Sequence, residues 1–253
     1  MADGGLNPFD GLEDEEDGEV EGVREIVDIP LHERPPEEQV EYHWNAMAEI
    51  MKSSVSDPFV LEELKEHLKA IEKFVIKERP ETSGRTGDCL EFLLSENVVE
   101  NVYLFSTRQR VYGKEVRVML LKFFTEVFAR SVQPILIHQQ ILRPLSRLLR
   151  ACEGIREHEI ANALVPLLHQ ICILMQENQS LLDLFFIDSP VHLQSKFLIF
   201  TQLIPYMHET SEMGNRAQDA LLLCLSLAAQ LPSSNLSKFI TVDCNFCQVR
   251  HYM

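Results

Sequence analysis

The chain has 253 residues, long enough to bury a sizeable core, and carries 23 Lys+Arg against 39 Asp+Glu for a formal net charge of −16. A phosphate backbone is gripped by an excess of cations that displaces its counterions, and this chain has no such excess, which argues against nucleic-acid binding. The charge is uneven: residues 1–41 hold fifteen acids and two bases, Arg24 and Arg34, whereas the other 212 residues hold 24 acids and 21 bases.

Residues 1–35 are rich in Asp, Glu, Gly and Pro, with apolar residues that follow no period. Such a segment cannot bury enough surface to offset its ordering entropy and is predicted to be a disordered acidic tail. It holds one short motif, Asn7-Pro8-Phe9. Asn-Pro starts a turn, and a Phe at its tip can fill a small pocket. The tripeptide resembles the Asn-Pro-Phe ligands of endocytic EH domains, although three residues recur freely by chance.

From Pro36 the pattern becomes helical. Pro35-Pro36-Glu37-Glu38 reads as a helix start, with proline in the first turn and acids at the positive dipole end. Val40, Trp44, Met47 and Met51 then fall on one stripe. Asp57-Pro58 opens a second helix whose stripe runs Leu61, Leu64, Leu68, Ile71, Val75, with Lys65, Lys69 and Lys73 among the charges opposite. Pro80 to Gly87 is a turn-rich connector. Short helices follow around Leu90–Leu94 and Val98–Phe105, then a broad apolar stripe over 115–130, as an interior helix requires. Further helical blocks are predicted at about 135–151, 156–176, 179–187, 195–208 and 214–231, with a weak one near 235–243. Pro134, Pro144, Pro190 and Pro232 mark boundaries, while Pro166 and Pro205 should kink the stretches that contain them. No strand alternation is evident. The expected fold is all-α: an α-solenoid of HEAT/armadillo-like helical pairs, with an irregular helix bundle as the alternative.

The sequence offers little chemistry. No glycine-rich phosphate loop occurs, and the body holds five widely spaced glycines. With no secretory leader, the six cysteines read as small buried hydrophobes of a soluble cytosolic protein. No run approaches about 18 uncharged apolar residues, the length of a bilayer span. His158-Glu159-Ile160-Ala161-Asn162 begins like a zinc-protease helix but puts asparagine where the second histidine belongs. Cys244-Asn245-Phe246-Cys247, with His251 beyond, lacks a second ligand pair. No metal, cofactor or catalytic residue is predicted. Arg143, Arg147 and Arg150 share one helical face, with Arg130 and Arg156 nearby. They read as a solvated face or as a docking patch for an acidic partner or for the acidic tail. Ser83-Gly84-Arg85-Thr86-Gly87-Asp88 is a compact polar loop for which turn geometry and capping are a sufficient reason.

Several stretches are similar to the FTS and Hook-interacting protein family. They are Tyr42-His43-Trp44, the loop and helix from Ser83 to Leu94, Gln133-Pro134-Ile135-Leu136, Ser180 to Phe186, Leu203 to His208, Arg216 to Leu223 and Phe246-Cys247-Gln248-Val249. Their order and spacing agree over residues 40–249. The resemblance implies a non-enzymatic scaffold of helical repeats that joins a Hook coiled-coil adaptor and FTS, an inactive ubiquitin-conjugating-enzyme variant. It further implies recruitment of dynein and dynactin to Rab-marked membranes, with Arg216–Leu223 closest to the early-endosome branch. The chain would then be cytoplasmic, reaching endosomes only through its partners. Tyr42, Trp44, Arg85, Thr86 and Asp88 become candidate contacts, Trp44 with an equal claim to the core. Family members are several times longer, so the expectation is a helical-repeat domain over 36–249 cut short by a divergent end at 250–253, as in a truncated isoform or an incomplete gene model. The alternatives are an uncapped fragment with no partner of its own and, further off, a thiol-dependent hydrolase.

Overall fold

A computed structural model describes residues 30–52, 57–80, 85–187 and 196–244. Residues 1–29 of the acidic tail with their Asn7-Pro8-Phe9 motif, Ser83 and Gly84, Pro190, and Cys247 with His251 lie outside the described residues, whereas residues 30–35, expected to belong to the disordered tail, are ordered. After a short 3₁₀ turn at Leu31–Glu33, the proline start of the first helix is realised: α1 spans Pro36–Lys52 and buries Val40, Trp44 and Met47. Helix α2, Pro58–Lys77, opens on Asp57, whose carboxylate accepts the Phe59 N–H at 2.9 Å. It buries Leu64, Leu68, Ile71 and Val75, the stripe predicted from spacing, with Leu61 at its edge.

The next helices are α3 (Asp88–Ser95), α4 (Val98–Arg108) and α5 (Gly113–Arg130). Asn97 makes the tight α3–α4 corner in the left-handed region, φ 50°, a conformation that asparagine tolerates better than most side chains. Helix α6 spans Gln139–Ala151, α7 His158–Glu177, α8 Leu198–Leu203, α9 Glu212–Gln230 and α10 Asn235–Lys238.

These helices stack in two layers. Helices α2, α5, α7 and α9 pack in sequence as one row, each against the next. Helices α1, α3, α4 and α6 form the other row, and α1–α2, α4–α5 and α8–α9 pair across the layers. Each helix touches near neighbours in the stack, the arrangement of an α-solenoid. The core runs continuously between the rows, with Phe124, Phe185, Phe197 and Phe200 fully buried.

Several predicted boundaries move. The block from 135 splits into a 3₁₀ turn, Ile135–Ile137, and α6. Pro144 lies inside α6 rather than at a boundary; its missing N–H strands the carbonyl of Gln140, an exposed residue that water can serve. Pro166 likewise falls within α7. Residues 179–185 wind as 3₁₀ rather than α. A two-residue antiparallel pair, β1 (Phe186–Ile187) and β2 (Lys196–Phe197), then joins the chain where no strand was expected. Phe186 and Phe197 face each other there at 4.9 Å, and Phe239 closes the cluster from the turn that follows α10.

Helix α7 has the length and composition of a bilayer span, with a mean hydropathy of 1.2 over its most apolar window. His158, Glu159 and Glu177 frame it, so its uncharged run stays short of a full span's length. Its place in the row accounts for the composition: α7 is packed by α5 on one side and α9 on the other, so both flanks must be apolar.

Candidate partner-binding site

The loop that enters α3 is held by a buried polar network. The first N–H groups of a helix have no partner within it. Glu78, just past the end of α2, turns its carboxylate onto two of them: Oε1 accepts the Cys89 N–H at 2.8 Å and Oε2 the Leu90 N–H at 3.1 Å. Gln133, from the α5–α6 connector, donates through Nε2 to Glu78 Oε2 at 2.9 Å and accepts the Gly87 N–H on Oε1 at 2.9 Å. One carboxylate and one amide thus fix the register of the loop. Gly87 is required by proximity rather than by its backbone angle (φ −74°), since an added Cβ would fall 2.1 Å from Glu78 Cδ.

With its backbone pinned inward, the loop presents Arg85 and Asp88 to solvent, with Thr86 half-buried between them. These three residues line an open cavity of about 560 Å³ together with Pro36 and Glu37 of α1 and Phe74 and Lys77 of α2. Phe74 also borders a second feature. His43 and His67 meet Nδ1 to Nδ1 at 2.8 Å, the His43 ring lies 6.3 Å from Phe74, and Tyr42 covers the pair at 5.4 Å from His43 and 6.4 Å from His67. Burial, reinforced by the neighbouring His67, lowers the pKa of His43, which favours its neutral ring at this contact. Tyr42 itself is 49% exposed. Tyr42, Arg85, Thr86 and Asp88 therefore flank one region joined through Phe74. The cavity is open and mixed in polarity, suited to part of a protein surface.

Trp44 does not belong to this surface. It is 7% exposed and packs in the core with Val40 and Met47, so of its two expected roles the structural one holds. Arg143, Arg147 and Arg150 are all exposed on one face of α6, as their spacing predicts, but on a separate surface. Arg147 pairs with Glu100 of α4, and Arg143 and Arg147 border a shallow depression of about 460 Å³ with Asn97, Gln139 and Gln140.

Among the described residues no three metal-ligating side chains converge. His158 and Asn162 simply contact each other at 2.9 Å on the surface of α7. Burial and the Glu78 carboxylate push the Cys89 thiol up to about 12, and burial pushes Cys152 up to about 11. Cys172 is raised by its contact with Cys224, 3.5 Å away across the α7–α9 interface, and by burial. All three thiols are buried and held toward the protonated form.

Sequence reasoning missed Glu78 and Gln133 as a pair. Gln133 opens the Gln-Pro-Ile-Leu run singled out above, whereas Glu78 carried no such signal.

The family model of retinoic acid induced 16-like (RAI16-like) proteins matches residues 89–251. The chain is 36% identical over 176 residues to the human FHF complex subunit HOOK-interacting protein 1A, covering 70% of this chain and 17% of that protein. The mouse protein of the same name gives the same identity over the same length. An FHIP family protein of Anopheles gambiae is 32% identical over 225 residues, 82% of this chain and 22% of the relative. The chain thus spans about a sixth to a fifth of the length of these relatives. The motifs from Cys89 onward lie inside the matched region, and the chain belongs to the RAI16-like family.

Proposed function

We propose that this chain is a non-enzymatic adaptor acting with Hook proteins, the N-terminal part of a scaffold of the FTS–Hook type. The observation that carries the reading is the similarity, over 70% of the chain, to proteins named as HOOK-interacting subunits of the FHF complex. The helical stack supports it, because such a stack offers extended surfaces for other helices. In this reading a Hook coiled coil or FTS docks on the region formed by Tyr42, Arg85, Thr86 and Asp88, and the α6 arginines form a second contact face. The finer reading adds a Rab-type GTPase of early endosomes and, through Hook, dynein and dynactin. It puts the protein in the cytoplasm, at endosomes by way of its partners, with Asn7-Pro8-Phe9 as a ligand for an EH domain.

The test is co-purification of the chain with Hook, FTS and GTP-loaded endosomal Rabs. Retention of Hook or FTS, reduced by Tyr42→Ala with Arg85→Ala, is the expected outcome. Retention of none would sink the proposal for this chain. A second reading, a helical stack without a partner of its own, draws on the exposure of Leu222 on α9 and of Val242. It predicts self-association that rises with concentration and no retention of either partner.

A further inference from the structure

A neighbouring surface, on the α2–α5–α7–α9 row, holds a groove of about 690 Å³ that nothing above uses. Its signal in the sequence is a ridge: Lys65, Lys69, Lys73 and Lys77 recur every four residues along one face of α2. Lys122 and Arg130 of α5 and Arg216 of α9 complete seven cations around it, against two carboxylates, Glu72 and Glu126. Lys65, Arg130 and Arg216 each pair with a glutamate on their own helix. Lys69, Lys73, Lys77 and Lys122 have no ion-pair partner among the described residues. The floor between them is apolar, with Leu68, Met119, Phe123 and Pro166. Such a surface suits a strand of chain that interleaves carboxylates with apolar side chains.

We propose that the occupant of this groove is the chain's own acidic segment, residues 1–29. That segment carries eleven acids and one base, with Val20, Val23, Ile26, Val27 and Ile29 set among Glu19, Glu21, Glu25 and Asp28. It joins the fold at the right place. Lys77 is shared between the groove and the cavity bordered by Pro36 and Glu37, so the segment departs beside the α2 wall. It is also long enough: 29 residues reach about 95 Å extended, whereas four packed helices span about 30 Å. Lysines are flexible point charges, which suits a contact set by charge density rather than by a fixed fork of hydrogen bonds. Each exposed pair contributes little alone. Attachment to the same chain supplies an effective concentration in the millimolar range.

Lysine acetylation, read residue by residue by mass spectrometry, tests this on the whole chain. The comparison is between the natural sequence and E19Q/E21Q/E25Q/D28N, which removes the carboxylates interleaved with the apolar residues and leaves residues 30–253 untouched. Neutralising the segment is expected to raise acetylation of Lys69, Lys73, Lys77 and Lys122 several-fold and to leave Lys52, Lys196 and Lys238 unchanged. About 0.5 M salt should produce the same rise in the natural chain. Carbodiimide cross-links between acids of 1–29 and the groove lysines should form within one molecule when isotope-labelled and unlabelled chains are mixed. Equal acetylation in both chains overturns the proposal. So do cross-links that run between molecules, which make a second copy the occupant, and protection that appears only with anionic vesicles, which assigns the groove to a membrane surface.

Discussion

Glu78 and Gln133 stand fifty-five positions apart in the chain and meet at 2.9 Å, each completing hydrogen bonds that the entry to α3 cannot make for itself. The pair ties the end of α2 and the start of α3 to the connector between α5 and α6. Glu78→Gln should therefore destabilise the fold despite its equal size. An amide presents N–H₂ to at least one of three donors, leaving a buried group unsatisfied at about 1–3 kcal/mol. Urea unfolding of the two chains measures the difference, and an unchanged midpoint would refute the network's role.

Gly87→Ala should cost at least as much. The added methyl group takes the space of the Glu78 carboxyl carbon, so both N–H contacts of that carboxylate must break or the loop must shift. A control at Gly154, φ +77° with open space around it, separates the two reasons for glycine. Ala there meets backbone strain of about 1 kcal/mol and no collision. Thermal melting should rank Gly87→Ala below Gly154→Ala.

Glu72 lies beside Glu126 in the lysine groove, and burial followed by that second carboxylate pushes its pKa up to about 7. The folded state therefore holds a proton that the unfolded state releases near its ordinary value of 4.5. Stability from this group is complete below that value and is lost as pH rises toward 7. Glu72→Gln should raise the melting temperature at pH 8 and leave it unchanged near pH 4.5, a difference of slopes visible in a pH series of melts.

The histidines act in the other direction. Burial lowers the pKa of His43, His138 and His169 below 6.5, with the charge of His67 adding to the effect at His43 and Arg216 at His169. Unfolded histidines take up protons near pH 6.5 that the folded ones refuse, so stability falls as pH drops below that value. His43→Phe should flatten part of the loss in melting temperature between pH 7.5 and 5.5, with His138 and His169 supplying the rest.

If the cysteines are packing residues, iodoacetamide at neutral pH should leave Cys89, Cys152 and Cys172 unmodified in the folded chain and label them all after unfolding. Rapid labelling of any of the three in the native state would reopen the thiol-enzyme reading.

The helices that face the core from one side were legible in the sequence. The stripe of α2 and the broad stripe of α5 read directly from spacing, because one-sided burial imposes a period. Where local hydrogen-bonding overrode that period, the reading failed. The 3₁₀ segment at 179–185 follows Asn178, whose side chain accepts the Ser180 N–H, and the short strands depend on a ring contact across the chain. Of the site, Arg85, Thr86 and Asp88 stood out by composition and Tyr42 by resemblance. Glu78 did not, since a glutamate after a lysine-rich helix looks like any solvated charge until the fold turns it inward. The lysine ridge was visible as spacing but passed as an ordinary exposed face, because its meaning rests on α5 and α9 bringing further cations to the same groove.

Helix α7, walled by α5 and α9, gives the protein a seam with a biological cost attached. Were either wall to part, the exposed strip would carry the hydropathy of a membrane span, a signal that chaperones and degradation machinery recognise. Quality control of this chain then turns on whether helix α7 stays covered by its two neighbours.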